Sequence, residues 1–402
     1  MTGKVDIVVE RQWHAPALAR ALMRGNGLGR VFTGFPKSRY TAQGIPPEKI
    51  RSHPLPAVWN LAVSKLGLPP ALRRNEPACL ASSVAASREL SPVVTCLATS
   101  YQHLFPKLLS RPVVRVIECG SMHPEDHFHF QQRARREAGL LWSPELPGHV
   151  AEEIEASKLA HFLVCGSRMV VESYVSRGYD PERVLLCPYG VDTERFRFHP
   201  REAPLGRPIR IATVGLIGIR KGILRLLRIA EWAQASGIPL ELHLIGPVDP
   251  EAEDLISRSS ANCHRLGVLK GEALVQALHQ ADLYCLPSYE EGFPISQLEA
   301  MATGLPAITS NDTGGREAVT DGTDGIVLSD FTPEEFDARL RPWLSDPTLL
   351  PAAGSAAASK ARELYSLDAY SRNVGSCYAV AGELAARALS GESIRVSHRG
   401  NA

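Results

Sequence analysis

The sequence lacks an excess of charge of either sign, and it lacks long apolar runs. Its 402 residues contain 44 Lys and Arg against 43 Asp and Glu, so the basic surface of a nucleic-acid-binding protein is not indicated. No run reaches the roughly 20 apolar residues of a membrane-spanning helix, and Asp6 and Glu10 come too early for the apolar stretch of a signal peptide. We therefore expect a cytoplasmic protein with no nucleic-acid partner.

Paired cysteines are missing as well. The eight cysteines stand singly, and no C-x-x-C pair occurs, which excludes the usual spacing of zinc ribbons and thiol redox sites. Several cysteines lie inside apolar, strand-like runs, so we interpret them as reduced core residues. Hydrophobic residues at 44% and charged residues at 22% are typical of a globular protein, and the length suits two domains.

What the sequence does contain is an alternation of β-rich and helical segments, and this alternation occurs twice. The β-rich runs are KVDIVV, SPVVTCLA, RPVVRVIEC, AHFLVCGS and RVLLCPYGV in the first half, and PIRIATVG, PLELHLIG, ADLYCLPS, PAITS and GIVL in the second. Strands that alternate with helices form parallel sheets covered by helices. The pattern predicts an α/β protein with two Rossmann-like parallel-sheet domains.

A polar, proline-bearing segment, RFRFHPREAPLGRP, separates the two halves and has the composition of a linker. We predict an N-terminal domain over residues 1–195, a linker over 196–208 and a second domain over 209–366. Residues 367–402 are predicted to form C-terminal helices that pack back toward the first domain, followed by a tail. Ligands of open parallel sheets bind at the carboxyl ends of strands, so we expect the two domains to face each other across a ligand-binding cleft.

A phosphate site is predicted in the segment SYEEGFPISQLEAMATGLP. Pro294 suits the first position of a helix and Gly304 suits its end, so we expect a helix over about residues 294–303. The first-turn amides of Ile295 and Ser296 would then be unpaired at the positive end of the helix dipole, directly after a strand. A helix start of this kind binds anions such as phosphate.

Two glutamates flank this helix start. Glu291 precedes the helix and Glu299 lies on it, so both carboxylates can reach one ligand whose phosphates rest on the helix start. Carboxylates repel phosphates but accept hydrogen bonds from hydroxyls, and the pair therefore predicts a nucleotide sugar with one glutamate on each ring. On the spacing alone, an alternative stays open in which Glu291 only stabilises the helix start and Glu299 is a solvated helix residue.

A second phosphate anchor is predicted upstream, in VGLIGIRKGILRLLRIA. This stretch joins a strand end at Val214 to an amphipathic helix through a loop that contains Arg220 and Lys221. Cations at the carboxyl end of a strand can neutralise a diphosphate. The alternative is that these residues are solvated loop charges, and it applies more to Arg220 than to Lys221.

Together these motifs resemble those of the retaining glycosyltransferases of family 4, also called group 1, which have the two-domain GT-B fold. The resemblance is carried by Glu291 to Glu299 with EAMATGLP, VG at 214–215 with KG at 221–222, LIG at 244–246, NDTGGREAVTDGTDGIVL from Asn311, and PYGVD from Pro188. It is strong over about residues 160–328 and weaker before them. It implies that the first domain binds the acceptor and the second binds the donor.

The resemblance implies a role for each donor-side residue. Glu299 would hold the ribose hydroxyls, Glu291 would meet the transferred sugar, and Lys221 would meet the diphosphate together with the helix amides. The other donor-side residues it implies are Gly215, Arg220, Gly292, Phe293, Ile295, Ser296 and Val268, the last with its backbone at the base. The family often has an arginine after the glycine of VG, where this chain has Leu216. Either Arg220 supplies that charge or the diphosphate has one cation fewer.

Three further candidates lie in the predicted first domain. In RVIECGSMHPEDHFHF a strand ends and a helix begins near Pro124, which leaves His123 at the carboxyl end of the strand. His123 is similar to the family's histidine that contacts the donor sugar, and with Glu291 and Lys221 it completes the implied catalytic set. The alternative is a histidine that only caps its helix. RQWHAPALARAL is similar to the family's first acceptor-domain loop and helix, which makes Trp13 and His14 acceptor-side candidates.

The activity that the resemblance implies is transfer of a sugar from a UDP-sugar or GDP-sugar to a glycan or lipid-linked acceptor, with retention of anomeric configuration. Lys221 and the helix amides, rather than a metal, would stabilise the leaving nucleoside diphosphate. No two aspartates stand two positions apart, so the metal-binding D-x-D of the other main glycosyltransferase fold is missing. We expect no cofactor and no metal requirement.

Other functions stay open at this point. The histidines and Asp126 of HPEDHFH have the spacing of metal ligands on one helix face, as in a metallohydrolase, but no distant cluster completes such a site. A GT-B sugar-nucleotide epimerase or a phosphorylase is disfavoured by the two glutamates and their context. A non-catalytic sugar-binding protein is disfavoured because the candidate site residues are intact.

Membrane contact is also considered from the sequence. LPAVWNLAVSKLGLPPALRRN mixes Trp59 and leucines with Lys65, Arg73 and Arg74, and QQRARREAGLLW adds a second basic segment. Amphipathic basic segments can lie on anionic lipid. The favoured interpretation of the first segment is nevertheless a core helix with a solvated edge. Peripheral contact with the inner face of the membrane is the alternative hypothesis.

Overall fold

The computed structural model describes residues 3–10, 13–97, 99–142 and 145–392. The chain forms two compact units. The first consists of residues 1–125, 146–188 and 370–402, and the second of residues 126–145 and 189–369. The end of the predicted C-terminal tail, residues 393–402, lies outside the described residues.

The described part of the first unit contains a seven-stranded parallel sheet in the order β3-β2-β1-β4-β5-β6-β7. Its strands are β1 (Val5–Val9), β2 (Leu28–Thr33), β3 (Ile50–Ser52), β4 (Val93–Leu97), β5 (Val114–Cys119), β6 (Phe162–Cys165) and β7 (Val184–Leu186). The central strands are buried along their whole length, as expected for a parallel sheet with helices on both faces.

Eight helices precede the second sheet along the chain. They are α1 (Ala15–Arg24), α2 (Ser38–Thr41), α3 (Leu55–Lys65), α4 (Glu76–Ala85), α5 (Ser100–Leu104), α6 (Pro124–Glu137), α7 (Gly148–Ser157) and α8 (Arg168–Val175) among the described residues. Short 3-10 helices lie at Pro47–Lys49, Pro70–Leu72, Phe105–Leu108 and Pro181–Arg183.

The described part of the second unit contains a six-stranded parallel sheet in the order β10-β9-β8-β11-β12-β13. Its strands are β8 (Ile209–Val214), β9 (Leu240–Ile245), β10 (Cys263–Gly267), β11 (Leu283–Leu286), β12 (Ala307–Ser310) and β13 (Gly325–Leu328). The later helices are α9 (Ile223–Ala235), α10 (Pro250–Arg258), α11 (Glu272–His279), α12 (Ile295–Ala302), α13 (Pro333–Arg339), α14 (Arg341–Ser345), α15 (Leu350–Leu364) and α16 (Leu367–Leu389), with 3-10 helices at Gly314–Ala318 and Pro347–Leu349.

All ten strands predicted from β-rich runs are present, and the two predicted parallel sheets are confirmed. Three further strands were not predicted, namely β2, β3 and β10. β2 carries Gly29 and Arg30 within its apolar run, β3 has only three residues, and β10 is largely exposed. None of the three has the continuous apolar run of a strand that is buried on both faces.

The units differ from the predicted domains in residues 126–145, which the sequence analysis placed in the first domain. In the structure this segment, which includes most of α6, packs in the second unit. Ala134 is buried in the hydrophobic core there, and the hydroxyl of Tyr289 donates a hydrogen bond to Glu137 at 2.8 Å. The second unit also begins at Tyr189, ahead of the predicted linker.

The helix α3 does not have the environment expected of a core helix. Val63 is its only buried residue, while Leu55, Val58, Trp59 and Leu61 are exposed. The expectation of a core helix with a solvated edge is therefore wrong, because the apolar stripe of α3 faces solvent.

No disulfide joins any of the eight cysteines, all of which lie in the described part of the chain. Six of them are buried, in agreement with their interpretation as core residues. None of the helices in the described ranges combines the length and the apolar character that crossing a bilayer requires.

Two strand ends of the second unit approach each other so closely that glycine is required. Gly246 follows β9 with φ +148, and a Cβ there would lie 1.8 Å from the carbonyl oxygen of Gly215, which follows β8. No side chain fits at that distance. This close approach brings the loops after β8 and β9 together at the carboxyl edge of the sheet.

We predict that Gly246→Ala destabilises the second unit by about 3 kcal/mol or more, since steric overlap adds to the strain of a positive φ. Chemical denaturation with the slope held common to both proteins would measure the change.

The matched control is Gly237→Ala. Gly237 also has a positive φ, +71, but a Cβ there meets nothing within 4 Å, so only backbone strain of about 1 kcal/mol is expected. Equal effects of the two substitutions would contradict the assignment of the close approach.

Candidate functional site

The donor-side candidates lie at the carboxyl edge of the second sheet. Arg220 and Lys221 lie in the loop between β8 and α9, and Glu291 lies between β11 and α12. Because β8 and β11 are parallel neighbours, both loops leave the same edge of the sheet. The backbone N–H of Tyr289 donates to the carbonyl oxygen of Arg220 at 2.9 Å, which connects the two loops directly.

The predicted helix start is present with a one-residue shift. Pro294 is the residue before the helix rather than its first residue, and α12 runs from Ile295 to Ala302. The carbonyl of Pro294 already accepts from the amides of Gln297 and Leu298 at 3.1 and 3.4 Å. Neither the Ile295 nor the Ser296 amide donates to any residue in the described ranges, so both stay available for an anion.

Glu291 pairs with both predicted cations. Its carboxylate lies 2.5 Å from Lys221 Nζ and 2.9 Å from Arg220 Nη1. The structure therefore brings these three predicted site residues together. Arg220 is not a freely solvated loop charge, since it also donates to the backbone carbonyl of Glu290 at 2.7 Å. Burial alone would lower the pKa of Arg220, but the carboxylates of Glu291 and Glu290 hold this pKa above its ordinary value.

Glu290 is a residue of this site that the sequence analysis missed. Its side chain is 0% exposed, and its carboxylate accepts from Arg220 at 3.3 Å and contacts His127 Nδ1 at 2.7 Å. An acidic residue beside Glu291 looks like ordinary loop charge in the sequence. Its partner His127 is 163 positions away on α6, so no local pattern could have revealed the pair.

Glu299 lies on α12, where burial opposes its ionisation. Its carboxylate forms no hydrogen bond or ion pair with any residue of the described part of the chain. Burial raises the pKa of Glu299 to about 7, and the charge of Arg195 opposes this shift only in part. A carboxylate held in this way is a strong acceptor for hydroxyl groups of a ligand.

Glu291 and Glu299 share a buried neighbour, Tyr284 on β11. Its hydroxyl lies 2.9 Å from the hydroxyl of Ser296 in the first turn of α12. Burial raises the pKa of Tyr284, and the charges of both Glu291 and Glu299 raise it further. Tyr284 is thus a neutral hydroxyl near both carboxylates, and it orients Ser296 at the helix start.

The remaining donor-side candidates surround this edge. Gly292 and Phe293 are buried, and the Phe293 ring packs 5.5 Å from the ring of Tyr365. Gly215 has φ +131, and Val268 is 60% exposed in the loop after β10.

Arg225 on α9 is a buried cation close to this edge. Its guanidinium lies 3.7 Å from the ring centre of Tyr289 and pairs with Asp312 at 3.0 Å. Arg133 on α6 pairs with the same aspartate. These contacts hold the segment that carries Tyr289 and Glu290. The loop before α12 is therefore positioned by residues that are distant from it in sequence.

The other three candidates lie in the first unit. His123 is buried, its amide donates to Ser173 Oγ at 3.0 Å, and its Nδ1 accepts from the Glu125 amide at 3.4 Å. The last contact is that of a histidine at a helix start. Burial, with a smaller effect of the Arg177 charge, lowers the pKa of His123 to about 4. Its imidazole is therefore neutral at pH 7.

The acceptor-side candidates lie just before α1. Trp13 is exposed and has φ +39, and His14 Nε2 lies 3.3 Å from the Glu118 carboxylate. No group of three or more possible metal ligands occurs among the residues that the structure describes. His127, considered above as a metal ligand, contacts Glu290 instead.

Comparison with known families agrees with the geometry of the second unit. Residues 194–360 match the family model of the group 1 glycosyl transferases. The MMP alpha-(1->4)-mannosyltransferase of Mycolicibacterium hassiacum is 30% identical over 219 residues, 52% of each chain. The amylovoran biosynthesis glycosyltransferase AmsK of Erwinia amylovora is 28% identical over 184 residues, 43% of this chain and 45% of that protein. The chain thus spans about half the length of these curated relatives.

Comparison with solved structures covers nearly the whole chain. The structure of Anabaena Alr3699/HepE in complex with UDP-glucose aligns with a TM-score of 0.68 at 13% identity, over 94% of this chain and 100% of that one. At this identity the likeness establishes the fold alone. The chain has the GT-B fold, and its residues 194–360 are similar to the group 1 glycosyl transferases.

We predict that Glu299→Gln stabilises the protein at neutral pH but not in acid. The pKa of Glu299 is raised to about 7 in the folded protein, against an ordinary 4.5. As the pH rises, Glu299 therefore loses its proton at a lower pH in the unfolded chain than in the folded protein. The wild type therefore loses stability relative to the Gln variant as the pH rises from about 4.5 to about 7, by about 3 kcal/mol in total.

Denaturation curves of both proteins from about pH 4 to pH 8 would measure this difference. The gap should be near zero in acid, open up to about pH 7 and stay constant above it. Parallel curves at every pH would show that burial does not oppose ionisation of Glu299.

We also predict that Glu291→Gln binds a free nucleoside diphosphate about tenfold more tightly than the wild type does, because the carboxylate no longer competes for Arg220 and Lys221. Titration calorimetry with UDP and GDP would measure it. Exposed Glu363 provides the matched Glu→Gln control. Weaker binding by the Glu291 variant would mean that the carboxylate positions the cations for the ligand instead of competing with it.

Proposed function

We propose that the protein is a retaining glycosyltransferase that moves a sugar from a nucleoside diphosphate sugar to a glycan or lipid-linked acceptor without a metal. The observation that carries this proposal is that Lys221 and Arg220 meet Glu291 beside the free amides of α12, while Glu299 on the same helix forms no ion pair with any described residue. The two cations and the free amides suit a diphosphate, and the Glu299 carboxylate suits a hydroxyl-bearing ring.

The proposed donor class is that of one structural neighbour. Anabaena Alr3699/HepE was solved in complex with UDP and with UDP-glucose. We propose a UDP-sugar or GDP-sugar as the donor of this chain, with the base against the backbone near Val268 and the ribose hydroxyls at Glu299.

In the proposed reaction, the bond between the anomeric carbon and the diphosphate oxygen breaks, a bond to the acceptor hydroxyl oxygen forms on the same face of the sugar, and the hydroxyl proton passes to the departing diphosphate. Negative charge grows on the departing diphosphate. Lys221, Arg220 and the amides of Ile295 and Ser296 stabilise that charge, and they are already in place before reaction. Glu291 must release the two cations as the donor enters, which leaves its carboxylate for a sugar hydroxyl.

His123 is proposed to contact the donor sugar as a neutral imidazole. With its pKa lowered to about 4 by burial, it carries no charge at pH 7. It can donate or accept one hydrogen bond to a hydroxyl, and it is unsuited to the role of a permanent cation. With the acceptor unidentified, Trp13 and His14 remain its proposed contacts.

The test is a transfer assay in EDTA with UDP-sugars and GDP-sugars, in which nuclear magnetic resonance reads the anomeric configuration of the product. We expect a product with retained configuration. An inverted product would contradict the retaining mechanism, activity only with added metal would contradict metal independence, and epimerised donor without transfer would favour an epimerase.

We predict that Lys221→Ala lowers kcat by about 100-fold, the usual effect of removing one group that stabilises transition-state charge. The matched control is Arg362→Ala, which removes an exposed cation of α15 and should leave kcat unchanged. If both variants kept the wild-type kcat, the diphosphate would not lie at Lys221.

A further inference from the structure

One surface of the first unit exposes an unusual amount of apolar side chain. It consists of residues 55–75, which comprise α3, the loop after it and the short 3-10 helix, and we refer to it as the α3 surface. Leu55 is 78% and Leu66 72% exposed, and every residue from 64 to 75 is exposed. Large exposed apolar patches on globular proteins mark interaction sites.

The exposed apolar residues form a stripe along one helix face. Leu55, Val58, Trp59 and Leu66 recur at the i, i+3, i+4, i+11 spacing of a single face, and all four are exposed. Leu61 lies away from this face and is also exposed, at 55%, while Val63 is the only buried residue of α3. The apolar side chains of α3 are therefore turned toward solvent around most of the helix.

Hydrogen bonds fix the helix and the following loop as one structure. The Trp59 indole N–H donates to the carbonyl of Leu72 at 2.8 Å. Asn60 donates to the carbonyl of Arg74 at 2.9 Å and accepts from the amide of Arg74 at 2.8 Å. Arg73 donates to the hydroxyl of Ser64 at 2.9 Å. These contacts hold the apolar side chains on a formed surface.

The charge of this region has one sign. Residues 55–75 contain Lys65, Arg73 and Arg74 and no aspartate or glutamate, and Glu76 at their edge accepts a hydrogen bond from Asn60 at 2.8 Å. All three basic residues are exposed. A surface that joins exposed leucines and a tryptophan with basic side chains is complementary to an anionic lipid bilayer, into whose headgroup region the apolar side chains can insert.

We propose that the α3 surface binds peripherally to a bilayer that contains anionic lipid. The stripe enters the boundary between headgroups and acyl chains, and Lys65, Arg73 and Arg74 contact lipid phosphates. Long basic side chains and a tryptophan are suited to that boundary. The proposal rests on exposure and charge alone and does not depend on the proposed enzymatic activity.

The second basic segment of the sequence is not part of this proposal, because its charges have partners in the second unit. Arg133 pairs with Asp312, and Arg135 pairs with Glu251 at 2.5 Å. Ala134 between them is buried in the core of that unit. The apolar stripe of α3, in contrast, stays exposed.

The test is co-sedimentation of the full chain with vesicles of phosphatidylcholine alone or with one third phosphatidylglycerol. We expect binding to the anionic vesicles only, and a loss of binding as salt rises from about 0.1 M to about 1 M, over which the Debye length falls from about 10 Å to about 3 Å. Failure to sediment, or equal sedimentation with both vesicles, would overturn the proposal.

Variants test the surface itself. Lys65→Gln and Arg74→Gln should each weaken binding about fivefold, the effect of one basic residue at an anionic surface. Leu55→Ser and Leu66→Ser should each weaken vesicle binding by about tenfold, because a leucine that the bilayer would bury on binding is lost. All four side chains are exposed, so folding should be preserved, as equal melting temperatures would verify.

The matched controls lie on α15 of the second unit, where Leu364 and Arg362 are also exposed. Leu364→Ser and Arg362→Gln should leave vesicle binding unchanged. Equal losses in the controls and the α3 variants would overturn the proposal. So would a lipid-free dimer that Leu55→Ser dissociates, since the occupant of the surface would then be a second copy of the chain.

Discussion

The ion pairs of Glu291 with Arg220 and Lys221 determine the state of the candidate site before a ligand arrives. Two adjacent cations at the carboxyl edge of a sheet repel each other, and the carboxylate between β11 and α12 compensates their charge. A diphosphate brings more negative charge than one carboxylate does, so it can replace Glu291 at the cations. In the proposed function the two cations are thus assembled in advance, and a diphosphate takes the place of the Glu291 carboxylate rather than building the site.

Glu290 extends this arrangement into the body of the second unit. It joins Arg220 to His127 on α6, while Arg133 and Arg225 meet Asp312 farther along. A buried carboxylate is stable only when its charge is paired, and both of its partners come from other segments of the chain. The candidate site therefore depends on residues 126–145, although these residues are far from α12 in the sequence.

Much of the fold and the centre of the site could be predicted from the sequence, because their signals are local. Continuous apolar runs predicted the buried strands, and Pro294 and Gly304 predicted both ends of α12. The environment of Glu290, the unit to which α6 belongs and the exposure of α3 could not be predicted in this way. The first two depend on partners more than 100 positions away, and the apolar spacing of α3 is the same whether its stripe faces a core or solvent.

The central claim is that Glu299 and the start of α12 bind one nucleoside diphosphate ligand. Its most direct test is the melting temperature of the protein with UDP, GDP, ADP and their sugar conjugates in EDTA, because a ligand that binds only the folded state raises that temperature. The account predicts a rise with the conjugates of one base, and its loss in Glu299→Ala. No rise with any nucleotide, or an equal rise in the variant, would contradict it.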